Sequence, residues 1–402
     1  MMPMATTAPT QLAGVPERGL FLKAGAAALG LCLLFALANP DRFFQAYLFA
    51  YVFWAGLAVG PMAILMIHHL TGGYWGMLTR RVLEAAARTV PLLVVLFVPI
   101  ALGLGRLYLW ARPEAVAADH LLRHKAPWLN STFFLSRAVL CFAVWWFLSR
   151  LLSRRSAEQQ AAPADEAIGV RLRKLSAGGL LALAVTITVA AFDWFMSIEP
   201  KWYSTIFGAM IGVGMMLSSW SFTIIVTSRL PRDPELDKLA KPQVFNDVGN
   251  LQLAFLMLWT YLTFCQFLLI YSANLPEEIT WYLKRMEGGW QWVFLFLALG
   301  QFVGPFLALL SRPLKRRIHL LARVAAVILA MHLVHLWWMV IPAYHEHHFS
   351  LHPLDLLAPL GIGGLWLWAF LTQLSRAPLT PVLPAPTLPD HDEAEEEVAA
   401  HA

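Results

Sequence analysis

Asp193 stands in the run Phe192-Asp193-Trp194-Phe195-Met196-Ser197-Ile198-Glu199-Pro200-Lys201-Trp202, where one long apolar stretch ends and another is about to begin. A carboxylate in such a place is expensive unless it is paired or wetted. It therefore marks a structural ion pair, a binding site or a proton-handling group. Thr186 and Ala190 precede it on the same helical face, and Arg137 falls at a matching depth in an earlier stretch of opposite direction. Two chemistries are open: an Asp193–Arg137 pair that cements two helices, or a proton-accepting carboxylate whose pKa Arg137 tunes.

His332 and His335 form a second constellation, three residues apart and hence on one helix face, about 14 and 9 Å from the near end of their stretch at 1.5 Å per residue. A haem would need partner histidines in the middle of another stretch, and none is present, so a proton-shuttling or quinone-contacting pair weighs against satisfied core histidines. Glu199 lies beyond the end of the Asp193 stretch. At the other end of the apolar stretches, His68 and His69 precede the turn Thr71-Gly72-Gly73-Tyr74-Trp75, and Arg80-Arg81-Val82-Leu83-Glu84 opens an amphipathic helix. Asp247 and Asn250 begin another stretch, with Ala254, Tyr261 and Cys265 following on the same side. That stripe predicts a proton inlet, or else Asp247 simply caps a helix start. The cluster His345-Glu346-His347-His348 with His352 has metal-like composition, but its spacing fits no zinc pattern and reads as a solvated loop.

These groups must be held by membrane helices. Of the 402 residues 58% are hydrophobic and only 14% charged, which excludes an ordinary soluble domain and points to an all-α, polytopic membrane protein. Ten stretches are long enough to span, at roughly 20–38, 44–67, 89–109, 132–152, 175–198, 204–228, 247–272, 290–311, 319–341 and 354–374. Irregular backbone cannot face lipid, so ten transmembrane helices are expected. Lys and Arg concentrate in the loops that follow the even-numbered spans, on the same side as Arg18 of the N-terminal segment 1–19 and Arg376 at the start of the C-terminal tail. Examples are Arg80, Arg81 and Arg88, then Arg150, Arg154 and Arg155, then Lys315, Arg316 and Arg317. The opposite side is poorer in both residue types, which predicts cytoplasmic termini. The Pro-rich and then acidic segment 376–402 reads as a disordered cytoplasmic tail. The net charge of +5 belongs to that inner face and implies no nucleic acid. Cys32, Cys141 and Cys265 are too scattered for a haem-attachment or cluster motif, and no cleaved signal peptide is read.

The turn His68-His69-Leu70-Thr71-Gly72-Gly73-x-Trp75 with Arg81 and Glu84 resembles the integral membrane subunits of alternative complex III, in the NrfD/PsrC-like membrane family. So do Asp193-Trp194-x-Met196-Ser197-x-Glu199-Pro200-x-Trp202, Asp247-x-Gly249-Asn250 and Asn274-Leu275-Pro276-Glu277-Glu278. The resemblance covers roughly residues 20–375 and is strongest for the smaller, ten-helix type of subunit. It implies two four-helix bundles, about 44–198 and 204–341, with spans one and ten peripheral. It also implies a bacterial inner (plasma) membrane location and a role in quinol:cytochrome c or quinol:oxidase electron transfer, through a quinol site, a proton path or both. Menaquinone or ubiquinone would be the quinone. Haem and iron–sulfur clusters would sit on partners: a paralogous membrane subunit, an iron–sulfur subunit and multihaem cytochromes, with lipid around them. A proton-coupled secondary transporter and a purely structural scaffold subunit are the competing readings.

Overall fold

The computed structural model describes residues 18–162, 165–231, 234–345 and 348–376. The expected acidic tail from 377 onward, most of the N-terminal segment, and Glu346 and His347 of the histidine loop lie outside them. Among the described residues every regular element is helical. The principal helices are α1 (Arg18–Ala38), α2 (Pro40–Thr71), α3 (Tyr74–Ala87), α4 (Val90–Leu102), α5 (Ser131–Ala161) and α6 (Glu166–Trp194). They continue with α7 (Phe207–Thr227), α8 (Pro242–Ala273), α9 (Pro276–Met286), α10 (Trp290–Leu310), α11 (Ile318–Val340) and α12 (Leu354–Leu374). Nine of the helices among the described residues are long and apolar enough to cross a membrane, and a tenth crossing is obtained if α3 and α4 count as one bent span. The chain is a multi-pass, all-α membrane protein.

The third span differs in form from the 89–109 stretch expected. α4 is 13 residues long, hence about 20 Å, which is short against a hydrocarbon core of about 30 Å. It joins α3 through a 41° bend at Arg88-Thr89. α3 is not a surface helix either, for every residue from Leu78 to Ala87 is buried. Its charged face turns inward because the arginines and Glu84 satisfy one another there.

α2, α4, α5 and α6 close one four-helix ring, and α7, α8, α10 and α11 close a second. The rings meet where α2 lies against α7 and α11, so α2 is internal, with 94% of its most apolar window buried. Small residues permit that approach. A Cβ on Gly60 would stand 2.4 Å from the Met215 carbonyl oxygen, and Ser219 Oγ donates to the Gly56 carbonyl at 3.0 Å. Outside the rings, α12 packs along α2 and α3, and α1 lies along α12.

Arg18 and Ser375 are hydrogen-bonded, so both described ends lie on one face, the terminal face. Where α1 and α12 cross, a Cβ on Gly25 would stand 2.8 Å from the Leu365 backbone nitrogen. Gly25→Val should push α1 off α12 and lower stability by about 1–3 kcal/mol. A thermal melt in detergent would show this as a lower midpoint, and an unchanged midpoint would mean the contact contributes little.

Candidate functional site

Arg137 and Asp193 meet inside the first ring, near the face opposite the termini. Arg137 Nε donates to Asp193 Oδ2 at 2.6 Å and Nη2 donates to Oδ1 at 2.8 Å, with both side chains buried. The remaining Nη1 donates to the Trp128 carbonyl at 3.0 Å, and the guanidinium lies against the Trp128 and Phe133 rings. A fork-to-fork pair of this kind fixes both partners in direction as well as charge. Thr186, on the same face as Asp193, accepts from Trp145 Nε1 at 2.9 Å. These hydrogen bonds all stay within the first ring and the segment between α4 and α5. No described hydrogen bond, ion pair or ring contact joins Asp193 to His332 or His335.

The terminal-face set is likewise tied down. Glu84 accepts from Arg80 Nε at 2.9 Å and Arg81 Nη1 at 3.0 Å, with Arg88 at 3.9 Å and the Ser156 hydroxyl also bonded to it. His68 Nε2 pairs with the Gly73 carbonyl at 3.1 Å, and His69 Nδ1 pairs with Ser176 Oγ at 3.1 Å. Gly76 is required there, since a Cβ would lie 1.8 Å from the His68 ring. Glu199, near the opposite face, is bonded by Arg285 at 2.9 Å and Lys284 at 3.2 Å.

α8 departs most from the sequence expectation. Ala254 and Tyr261 are exposed, Tyr261 by 62% at the edge of a cavity described below, so the stripe through Asp247, Asn250 and Tyr261 runs along the outer side of the second ring rather than through it. The buried polar stripe is Gln252, Trp259 and Gln266, at seven-residue spacing. A helix touching neighbours along one side only turns its bulkiest packing face inward. Asp247 and Asn250 remain at the terminal end of α8, where Lys315 Nζ donates to Asn250 Oδ1 at 2.7 Å. Burial, with Arg312 as a lesser cause, lowers the Lys315 pKa.

From there, buried polar groups follow one another across the second ring. Gln252 Nε2 donates to Ser221 Oγ at 2.9 Å. Ser221, Ser218 and Gly214 share a face of α7 at helical spacing. A Cβ on Gly214 would lie 2.8 Å from the His332 ring and 3.4 Å from Trp259 Nε1. The His332 and His335 rings are 6.0 Å apart, and His335 meets the Trp259 ring edge-on at 5.1 Å. Toward the far face, Gln266 accepts from Ser204 Oγ at 2.6 Å. His332 Nδ1, His335 Nδ1, Trp259 Nε1, Thr260 Oγ1 and both polar atoms of Gln301 are buried without a protein hydrogen-bond partner. Buried polar atoms are nearly always bonded, so these are positions for water or a ligand.

His335 and Trp259 also border a cavity of about 480 Å³ between α8, α9, α10 and α11. Its walls are aromatic, including Phe264, Phe267, Trp281, Phe294 and Trp338, with Thr260, Tyr261 and Gln266 as polar points. Such a volume and lining suit a planar ring held by a few hydrogen bonds. One wall, Ala298–Val303, is a π-helical turn, a form concentrated at functional sites. Sequence reading missed Gln252, Ser221, Trp259, Gln266 and Gln301. The seven-residue repeat of Gln252, Trp259 and Gln266 was the available signal; the π turn left none.

Among the described residues no three His, Cys, Asp or Glu side chains come together as a metal site. No protein-family model matches the chain, and no curated protein matches it either.

Proposed function

We propose that this chain is an integral membrane subunit of a bacterial quinol:cytochrome c or quinol:oxidase oxidoreductase of the alternative complex III type. It would sit in the plasma membrane with its terminal face toward the cytoplasm. The observation that carries the reading is the position of His335: on the wall of an aromatic cavity, and at the end of the buried polar series that begins near Lys315 and Asn250.

In this reading the cavity takes the quinol ring as substrate. Aromatic walls orient it, and His335 is placed to accept the two hydroxyl protons in succession, passing the first into the polar series behind it before the second leaves. His332, the Trp259 indole and the Gly214 contact connect His335 to the Ser218–Ser221–Gln252 series. Water at the partnerless nitrogen atoms would complete a proton wire across the second ring. The electrons leave to haem or iron–sulfur centres on partner subunits. Arg137–Asp193 and the Glu84 cluster have their bonding capacity largely filled, which favours structural parts for both.

The test is the composition of the complex purified through this chain. Co-purifying haem- and cluster-bearing subunits and quinol oxidation by the assembly are expected. A chain that purifies alone and transports a solute would instead support the transporter reading.

A further inference from the structure

A second groove, about 590 Å³, lies on the other side of α11, between α10 and α12. Its walls are almost wholly apolar (Phe296, Leu333, Val334 and Leu356 among them), and several of its residues face outward: Trp292, Phe296, Leu351 and Leu356 are exposed. In a membrane protein that side is the bilayer. The groove ends at Asp355, which is buried and paired with buried Arg42. Arg42 Nη2 also donates to the Ser350 carbonyl at 3.1 Å, and Asp355 Oδ2 accepts from the His352 backbone at 3.0 Å. The Trp337 indole stands beside the Asp355 carboxylate without closing a well-formed hydrogen bond to it. Four buried atoms of this one cluster are thus left without a hydrogen-bond partner: Arg42 Nε, Arg42 Nη1, Trp337 Nε1 and Asp355 Oδ1. Three are donors and one is an acceptor.

We infer that this groove is a lipid site, holding one acyl chain of a glycerophospholipid with free head-group hydroxyls, of the phosphatidylglycerol class. Three observations select that occupant. The apolar walls and outward-facing mouth admit an acyl chain from the bilayer. Arg42 and Asp355 lie in the first turns of α2 and α12, at the ends of their spans, where head groups sit. Of the unfilled atoms, those of Trp337 and Asp355 border the groove, and they ask for an acceptor and a donor together: an ester or phosphate oxygen for the Trp337 indole and a hydroxyl for the Asp355 carboxylate. The Arg42–Asp355 pair is neutral overall and already occupied, so it offers no free base for a redox reaction. This inference stands apart from the quinol reading, which concerns the opposite side of α11.

The experiment is native mass spectrometry of the full chain, in the assembly that it purifies with, extracted in mild detergent and supplied with mixed phosphatidylglycerol and phosphatidylethanolamine. Retained phosphatidylglycerol is expected on the wild-type chain. Val334→Trp, which fills the groove, should reduce retention about tenfold, the equivalent of about 1.4 kcal/mol. Trp337→Phe keeps an aromatic ring but removes one donor, and should reduce it about threefold to fivefold, within the range for a single hydrogen bond. Because Trp337→Phe shrinks the side chain and introduces no clash, it keeps the assignment testable if Val334→Trp fails to fold. Retention unchanged in both variants would overturn the assignment. So would a wild-type chain that retains no lipid, or one that retains a quinone in place of the phospholipid and loses it in both variants.

Discussion

Arg137→Leu is expected to destabilise the protein by about 3–5 kcal/mol, the range for removing one partner of a buried ion pair. The substitution deletes both bonds to Asp193 and the bond to the Trp128 carbonyl, and leaves a buried carboxylate without its counter-charge. Arg137→Lys should rescue only part of this, because an ammonium cannot reproduce the planar fork. The informative variant is the double substitution Arg137→Leu with Asp193→Leu. With both charges gone no desolvated ion remains, and stability should return to near the wild-type value. Melting in detergent and the yield of monodisperse protein measure each variant. If the double variant is stable and the assembled complex still oxidises quinol at the normal rate, the pair is a helix fastener. Stable protein with abolished turnover would give Asp193 a part in the chemistry after all.

His335→Phe is expected to act in the reverse manner, sparing the fold and removing activity. No described hydrogen bond to His335 would be broken, and phenylalanine keeps a ring against Trp259 and Trp338. If His335 takes a proton from the substrate, turnover should fall by about 10²–10⁴, the usual contribution of a general base. His332→Phe should act more weakly, since His332 does not border the cavity and serves only the path behind it. Comparing the melting midpoint with the turnover number separates the two effects. A His335→Phe variant with normal turnover would remove His335 from the mechanism.

The parts of this fold that follow from span-length hydropathy and opposite charges at matching depth were legible in the sequence. Arg137 and Asp193 are examples: Arg137 is the only charged residue in 131–149 and Asp193 the only one in 175–198, and two lone opposite charges near the same level have little choice but each other. The histidine pair was legible as a face, though its neighbours were not. The phase of α8 was misread, because polar letters (Asp247, Asn250, Tyr261) suggested an inward stripe. In lipid a tyrosine near a cavity mouth is tolerated outward, and the inward face was set by the bulk of Phe255, Leu256 and Trp259 against α7 and α11. The bend between α3 and α4 arises where Arg88 and Thr89 interrupt the helix, while the burial of α3 depends on Glu84 neutralising neighbouring arginines. Neither is visible in a hydropathy scan.

The most direct measurement of the quinone-site proposal is photoaffinity labelling of the purified complex with an azido-quinone, followed by peptide mapping of this chain. Label is expected within residues 257–267 of α8 or 294–302 of α10, and it should be displaced by excess quinol. Label confined to other segments or to other subunits, with turnover intact, would contradict it.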